Sequence, residues 1–239
     1  MMRQFVMVAS SALIMLSVAG TAHSQTQGGA AVNIGTLGIG FDGAVQVAQR
    51  ANARVGVNFF NFNHDFDNDG TTLAAHLKLR SVTAQLDWFP LGGGFHVSPG
   101  LMLDNGNRVD ADTFAPGGKT FTLGDETLMS NPSNPARGNA TVAFKKVAPI
   151  VTLGWGNIVP RGNRRWSIPV ELGVVFSQAP TATMSLGGSA CLQNGTNCRN
   201  IATDPTLQAD LRKQEAKLND DLSFLKMIPV FSFGFGYKF

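Results

Sequence analysis

IPVFSFGFGYKF, Ile228 to Phe239, is the stretch around which the rest of the chain is read. Phe231, Phe233, Phe235, Tyr237 and Phe239 fall on one face of an extended segment, with Val230, Ser232, Gly234, Gly236 and Lys238 on the other. Side chains alternate faces along a strand, so one face is a continuous aromatic wall and the other is small or polar. A soluble sandwich would turn its apolar face inward and mix Val, Ile and Leu there. An aromatic wall opposite glycines suits lipid outside and a crowded interior, the pattern of a transmembrane β-barrel strand.

The start of the chain fits that reading. Arg3 gives a positive leader, Phe5 to Gly20 is an apolar run, and Ala22-His23-Ser24 is a small-x-small cleavage site. Residues 1–24 are therefore expected to be an export signal, with residues 25–239 forming one barrel domain that begins at Gln25. The run is too short and wrongly flanked to span a membrane as a helix, and no other stretch approaches the needed length. An exported chain without such a helix can still cross a membrane as a closed barrel. Net charge is +3, and adjacent basic pairs occur only at Lys145-Lys146, Arg164-Arg165 and Arg212-Lys213. Nucleic acid is therefore not an expected partner.

Ala31 to Gln49 reads as one strand with Leu37, Ile39, Phe41, Val45 and Val47 outward and Asp42 among the small inward residues. Gly38 to Gly43 (GIGFDG) matches a dinucleotide fingerprint. That motif needs a helix opening at its glycines, and here the strand alternation continues. Arg54 to Phe62 is a second strand. Asp65 to Gly70 copies the opening of a calcium loop, but the twelfth position is His76 rather than Glu, so a solvated turn at Asp69-Gly70 is favoured. In the third strand, Ala74 to Trp88, the apolar phase changes between Leu79 and Val82, which predicts a bulge near Arg80-Ser81. With that bulge Lys78, Arg80, Thr83, Gln85 and Asp87 all face inward. Phe95 to Leu103 is a fourth strand, and Trp88, Phe89 and Phe95 suit an interfacial girdle.

Residues 104–140 form the longest irregular stretch. Val147 to Trp155 and Trp166 to Phe176 are further strands, with Glu171 facing inward. Cys191 and Cys198, the only cysteines, are expected to bridge in an oxidising compartment. Asp204 and Pro205 open an amphipathic helix within a 203–227 insertion before the last strand. Seven strands can be named, and single-chain barrels of this type are even-numbered. The fold class expected is thus all-β: a small transmembrane antiparallel barrel of about eight strands with one extramembrane amphipathic helix. The missing strand could lie at Thr181 to Gly187 or in the long irregular stretch, unless the N-terminal segment threads the barrel.

The terminal strand resembles that of bacterial outer-membrane barrels, in which alternating aromatics ending in Phe serve as an assembly signal. That resemblance implies such a role for Phe235, Tyr237 and Phe239, the barrel-assembly machinery as a partner, and the bacterial outer membrane as the location. Leu153 to Asn157 (LGWGN), Leu86 to Pro90 (LDWFP) and Gly35 to Gly40 (GTLGIG) look like an uncharacterised proteobacterial family of small outer-membrane barrels, within the class of the OmpA-, OmpX- and OmpW-type proteins. That family brings no activity or site residues with it.

The inward list carries Asp42, Arg54, Lys78, Arg80, Asp87, Glu171 and Lys238. Eight strands leave an interior just wide enough for side chains, so these charges are expected to pair around Glu171, with Arg80 the favoured partner, and to leave no continuous ion path. A non-enzymatic structural or surface-interaction barrel is the leading expectation. The alternatives are a narrow channel for small or apolar solutes and an outer-leaflet lipid-modifying enzyme. The enzyme reading rests on His64, His76 and His96 with hydroxyls such as Ser98, but a hydrolase needs its nucleophile hydrogen-bonded to a base. No cofactor or metal is expected. Outer-membrane lipid is the expected partner and a monomer the expected state.

Overall fold

The computed structural model describes residues 27–68, 71–124 and 126–239. The export signal, its cleavage site and the Asp69-Gly70 turn lie outside the described residues. The strands in chain order are β1 (Gly28–Gly35), β2 (Gly38–Ala48), β3 (Ala51–Asn68), β4 (Thr71–Trp88), β5 (Phe95–Asn105), β6 (Arg108–Ala115), β7 (Thr120–Leu123) and β8 (Glu126–Ser130). There follow β9 (Ala136–Ala143), β10 (Ala148–Trp155), β11 (Trp166–Ser167), β12 (Val170–Phe176), β13 (Thr181–Gly187), β14 (Ser189–Cys191) and β15 (Arg199–Asn200). Helix α1 (Pro205–Asp221) and a 3-10 turn (Leu222–Lys226) precede β16 (Met227–Lys238).

β1, β2, β3, β4, β5, β10, β12 and β16 pair in that order, all antiparallel, and β16 returns to β1, so eight strands close a barrel. Short β11 continues the β12 edge along β16, beyond Ile168-Pro169. The segment read as one strand, Ala31 to Gln49, is two: Thr36-Leu37 is a tight turn joining β1 to β2, with Gly35 opposite Gly38. That hairpin supplies the missing eighth strand. Thr181 to Gly187 is indeed a strand, but it pairs with β9 outside the barrel wall.

The outward face is an exposed apolar belt that includes Val32, Ile34, Ile39, Phe41, Val57, Leu86, Leu101, Leu153, Leu172, Phe231, Phe233 and Phe235. All three tryptophans, Trp88, Trp155 and Trp166, are exposed at the end where β1 begins and β16 ends. Aromatics of this kind mark a membrane–water interface. The opposite end carries the long excursions, which in such barrels lie outside the cell.

There β3 and β4 run on as a ribbon well past the β1–β2 turn, paired without interruption from Ala51↔Trp88 to Asn68↔Thr71. The expected bulge at Arg80-Ser81 is absent. The register shift lies on the neighbouring strand, between Met102 and Asp104 of β5. The apolar phase of β4 changes because its surroundings change. Within the bilayer the outward residues Val82, Leu86 and Trp88 meet lipid and the inward Ser81, Thr83, Gln85 and Asp87 are polar. Above it, Phe60, Phe62, Leu77 and Leu79 continue the inward face while Asn61, Asn63, His76 and Lys78 continue the outward one. Lys78 and Arg80 are therefore outside the lumen, a correction to the sequence reading.

β6, β9 and β13 widen the ribbon into an extracellular sheet. Ala115, Ala136, Leu123, Leu128, Ile201, Leu207 and Leu211 form a second core between this sheet, the small sheet β7-β8-β14-β15 and α1. Asp204 caps α1 by accepting hydrogen bonds from Thr206 N and Leu207 N, each 3.0 Å, satisfying donors that a helix start leaves unpaired. Cys191 on β14 and Cys198, just ahead of β15, are disulfide-bonded within this extracellular cap of small sheet and helix.

Candidate functional site

Among the described residues, the lumen collects most of the buried charge. Arg54 on β3 lies at its centre. Its Nε donates to Asp87 Oδ1 at 3.0 Å, its Nη2 lies 2.9 Å from the same oxygen and 2.7 Å from Glu171 Oε1, and its Nη1 stands 4.0 Å from Asp42 Oδ2. Each carboxylate has a second donor. Asn33 Nδ2 donates to Asp42 at 2.6 Å, Ser98 Oγ to Asp87 at 2.7 Å, and Thr152 Oγ1 to Glu171 at 3.0 Å. His96 Nε2 lies 3.4 Å from Glu171 Oε1, and Gln85 Nε2 donates to Thr152 Oγ1 at 3.2 Å. Strand alternation puts all of these on one face of their strands, and small neighbours make room for them. A Cβ at Gly56 would collide with the Asp42 carboxylate and the Thr83 hydroxyl, and one at Gly40 with the Asn33 and Asn58 amides. The GIGFDG glycine at position 40 is thus a lumen-packing residue on a strand.

Buried ions are tolerated where they are paired and their remaining hydrogen-bonding capacity is met. One arginine serves three carboxylates here, so the layer depends on Arg54. The cavity beside Asp42, Arg54 and Glu171 measures about 30 Å³, the scale of one water and far below that of a solute.

Apolar and loop layers close the barrel on either side. Toward the outside, Leu37, Met102, Ala148, Ile150, Val175 and Val230 pack together. Toward the periplasm, the connection between β10 and β11 folds back into the barrel mouth. Its Ile158 and Val159 pack on Ala31 and Ala44. Asn157 Oδ1 accepts from Asn52 Nδ2 at 2.8 Å and Val159 N at 2.9 Å. Lys238 Nζ donates to Pro160 O at 2.9 Å and Gly162 O at 2.6 Å, so this inward lysine clamps the connection rather than joining the Arg54 layer. Arg161 Nη1 donates to Asn52 Oδ1 at 3.0 Å, and its guanidinium lies over the Phe89 ring.

Of the seven charged residues read as inward, Asp42, Arg54, Asp87 and Glu171 meet in one network, and Lys238 faces inward at the periplasmic mouth. Glu171 pairs with Arg54, and Arg80 instead pairs with Asp104 on the outer face at 2.9 Å. His96 and Ser98 share the lumen face, but Ser98 donates to Asp87 rather than to His96. His64 stacks on Phe62 and meets Phe66 edge-on, on the inner face of the extension. Among the described residues no group of three or more His, Cys, Asp or Glu is placed to hold a metal ion. The periplasmic plug was missed. Its signal was the apolar pair Ile158-Val159 inside an otherwise Gly-, Pro- and Arg-rich connection.

No family model and no curated protein matches the chain. It is similar to two solved structures from Acinetobacter baumannii. CarO shares 19% identity over 87% of this chain and 96% of that one, at a TM-score of 0.53. CarO2 shares 18% identity over 90% and 100%, at a TM-score of 0.55. Both likenesses are likenesses of fold. With the closed wall, the apolar belt and the interfacial tryptophans, the chain is an outer-membrane β-barrel protein.

Proposed function

We propose that this protein is a non-enzymatic outer-membrane barrel with a closed lumen, serving a structural or surface-interaction role through its extracellular extension. The observation that supports this best is the threefold closure: an apolar layer outside, the Arg54 network in the middle and the folded β10–β11 connection below. A conducting lumen would need all three to open. The fold places its non-membrane surface in the β3–β4 ribbon and the sheet built on it, which is where contacts with other molecules would be made. The deciding experiment is planar-bilayer conductance of the refolded protein. Absence of steady channels is expected, and steady open channels in the wild type would replace this reading with that of a narrow passage. The enzyme alternative has no supporting geometry at Ser98, whose hydroxyl is committed to Asp87.

A further inference from the structure

The two membrane interfaces of this barrel are built from different residues. The periplasmic one carries all three tryptophans, with Arg165 donating to the Tyr237 hydroxyl among them, whereas the extracellular one carries a cluster of cations and no tryptophan. Phe59 sits opposite Arg80 at the top of the lipid belt. Asn105 N donates to Lys146 O at 2.8 Å, and Gly106 N donates to Arg80 O at the same distance, so Arg80 on β4 and Lys146, just ahead of β10, flank the outer end of β5. One step further out Lys78 is opposite both Asn61 and Arg108. Arg80, its side chain 69% exposed, and Arg108 each hold one carboxylate, Asp104 and Asp110, and Lys78 makes no ion pair among the described residues.

The next row out has a different chemistry. His76 is opposite Asn63 and Asp110, and Asp110 is opposite Thr141. The Lys78 and His76 rows line a groove of about 460 Å³ on the outward face of the extension, and Arg80 stands one step below it toward the bilayer. From the bilayer outward, one strip of surface is therefore apolar, then cationic, then rich in amide, hydroxyl and carboxylate groups. Successive same-face rows on a strand are about 7 Å apart, so the strip has the dimensions of a lipid headgroup region.

We infer that this strip binds a phosphorylated glycolipid of the outer leaflet. Acyl chains lie on Val57, Phe59 and Val82, a headgroup phosphate lies between Lys78 and Arg80, and sugar hydroxyls meet Asn61, Asn63 and Asp110. Basic residues beside a bilayer attract anionic headgroups, and arginine presents a fork matched to phosphate oxygens. A plain cation belt would serve any acidic lipid. The hydroxyl-binding row above it is what selects a sugar. The inference names a partner for the proposed surface role and rests only on the barrel's orientation in the membrane, so conductance decides that proposal and lipid retention decides this one.

The test is native mass spectrometry of the full-length barrel in nanodiscs of phosphatidylcholine doped with bisphosphorylated lipid A, its dephosphorylated form or phosphatidylglycerol. Lys78→Gln/Arg80→Gln is compared with Lys119→Gln/Arg212→Gln, which removes the same charge from exposed sites elsewhere on the extracellular part. Retention of bisphosphorylated lipid A should fall about fivefold per cation removed, hence about twenty-fivefold in the first variant, with no change in the second. Asn61→Ala/Asn63→Ala should abolish the preference for lipid A over phosphatidylglycerol. Correct folding is read in every variant by the heat-modifiable gel shift. Equal retention by the wild type and Lys78→Gln/Arg80→Gln would overturn the site. So would equal retention of the dephosphorylated form or of phosphatidylglycerol by the wild type, or displacement of lipid A by millimolar inorganic phosphate.

Discussion

Replacing Arg54 with methionine puts the lumen reading at risk most directly. The substitution keeps the unbranched aliphatic stem and removes the one guanidinium that Asp87, Glu171 and Asp42 share. Three buried carboxylates would then stand within one layer with only Asn33, Ser98, Thr152 and His96 beside them. Removing one partner of a buried ion pair costs about 3–5 kcal/mol, because the other charge is left uncompensated. With a urea slope of roughly 2 kcal/mol/M, the unfolding midpoint should drop by about 2 M. The assay is equilibrium unfolding in lipid vesicles followed by tryptophan fluorescence, for which Trp88, Trp155 and Trp166 at one interface are natural reporters. Combining Arg54→Met with Glu171→Gln and Asp87→Asn should recover most of the loss, since well-packed neutral groups can replace a buried ion pair at little cost. If Arg54→Met unfolds within about 1 kcal/mol of the wild type, or if the triple variant loses more than the single one, the charges are solvated and the closed-lumen argument fails.

Phe239→Asp should impair assembly far more than a loop substitution. Normal outer-membrane levels with the usual heat-modifiable shift would contradict the assembly role of the terminal aromatics. Gly29→Val places a side chain against Ile158 O, which a Cβ there would approach to 2.5 Å, so it should dislodge the periplasmic plug and raise hydrogen exchange at Asn157 to Val159. Loss of the Cys191–Cys198 bridge should leave barrel stability unchanged, because the loop is short, its entropic effect is at most about 2–3 kcal/mol and it acts only on the cap. Equal urea midpoints for the oxidised and reduced protein check this. In the extension, burial raises the Asp110 carboxyl, but hydrogen bonds from Arg108 and Thr141 outweigh it and hold the group below its ordinary value. Its contribution is therefore present at neutral pH and lost as pH falls through that lowered value. Acid should lower the hydrogen-exchange protection factors of β6 and β9, taken relative to the intrinsic rate at each pH, and Asp110→Asn should remove that pH dependence.

The barrel was legible from its outward residues, because a bilayer imposes the same alternation on every strand that crosses it. Two parity changes carried the rest of the topology, and they have unrelated causes. Outward residues are even-numbered through Val32 and Ile34 and odd-numbered from Ile39, and the cause is the two-residue turn at Thr36-Leu37. In β4 the apolar set passes from Leu77 and Leu79 to Val82, Leu86 and Trp88, and the cause is the bilayer surface, since the strand itself continues in register. Sequence periodicity reports which face is apolar, and only the pairing partner tells a turned chain from a changed solvent. The same ambiguity put Lys78 and Arg80 in the lumen list. Glu171 was correctly seen as needing a cation, but its choice of Arg54 depends on cross-barrel distances that no local pattern encodes.

β1 and β16 close the wall, and their pairing joins Gly29 to Lys238, positions 209 apart by subtraction (238 − 29). The entropy of ring closure grows only as the logarithm of the span, but the bonds that offset it cannot form until both ends are in place. This junction is the step that waits on everything else, since seven neighbouring pairings can form progressively along the chain or through the turns while this one cannot. Non-local pairing of this kind slows folding. A defect in Gly28 to Gly35 should then show first in the time the barrel takes to shut, with the finished protein nearly as stable as before.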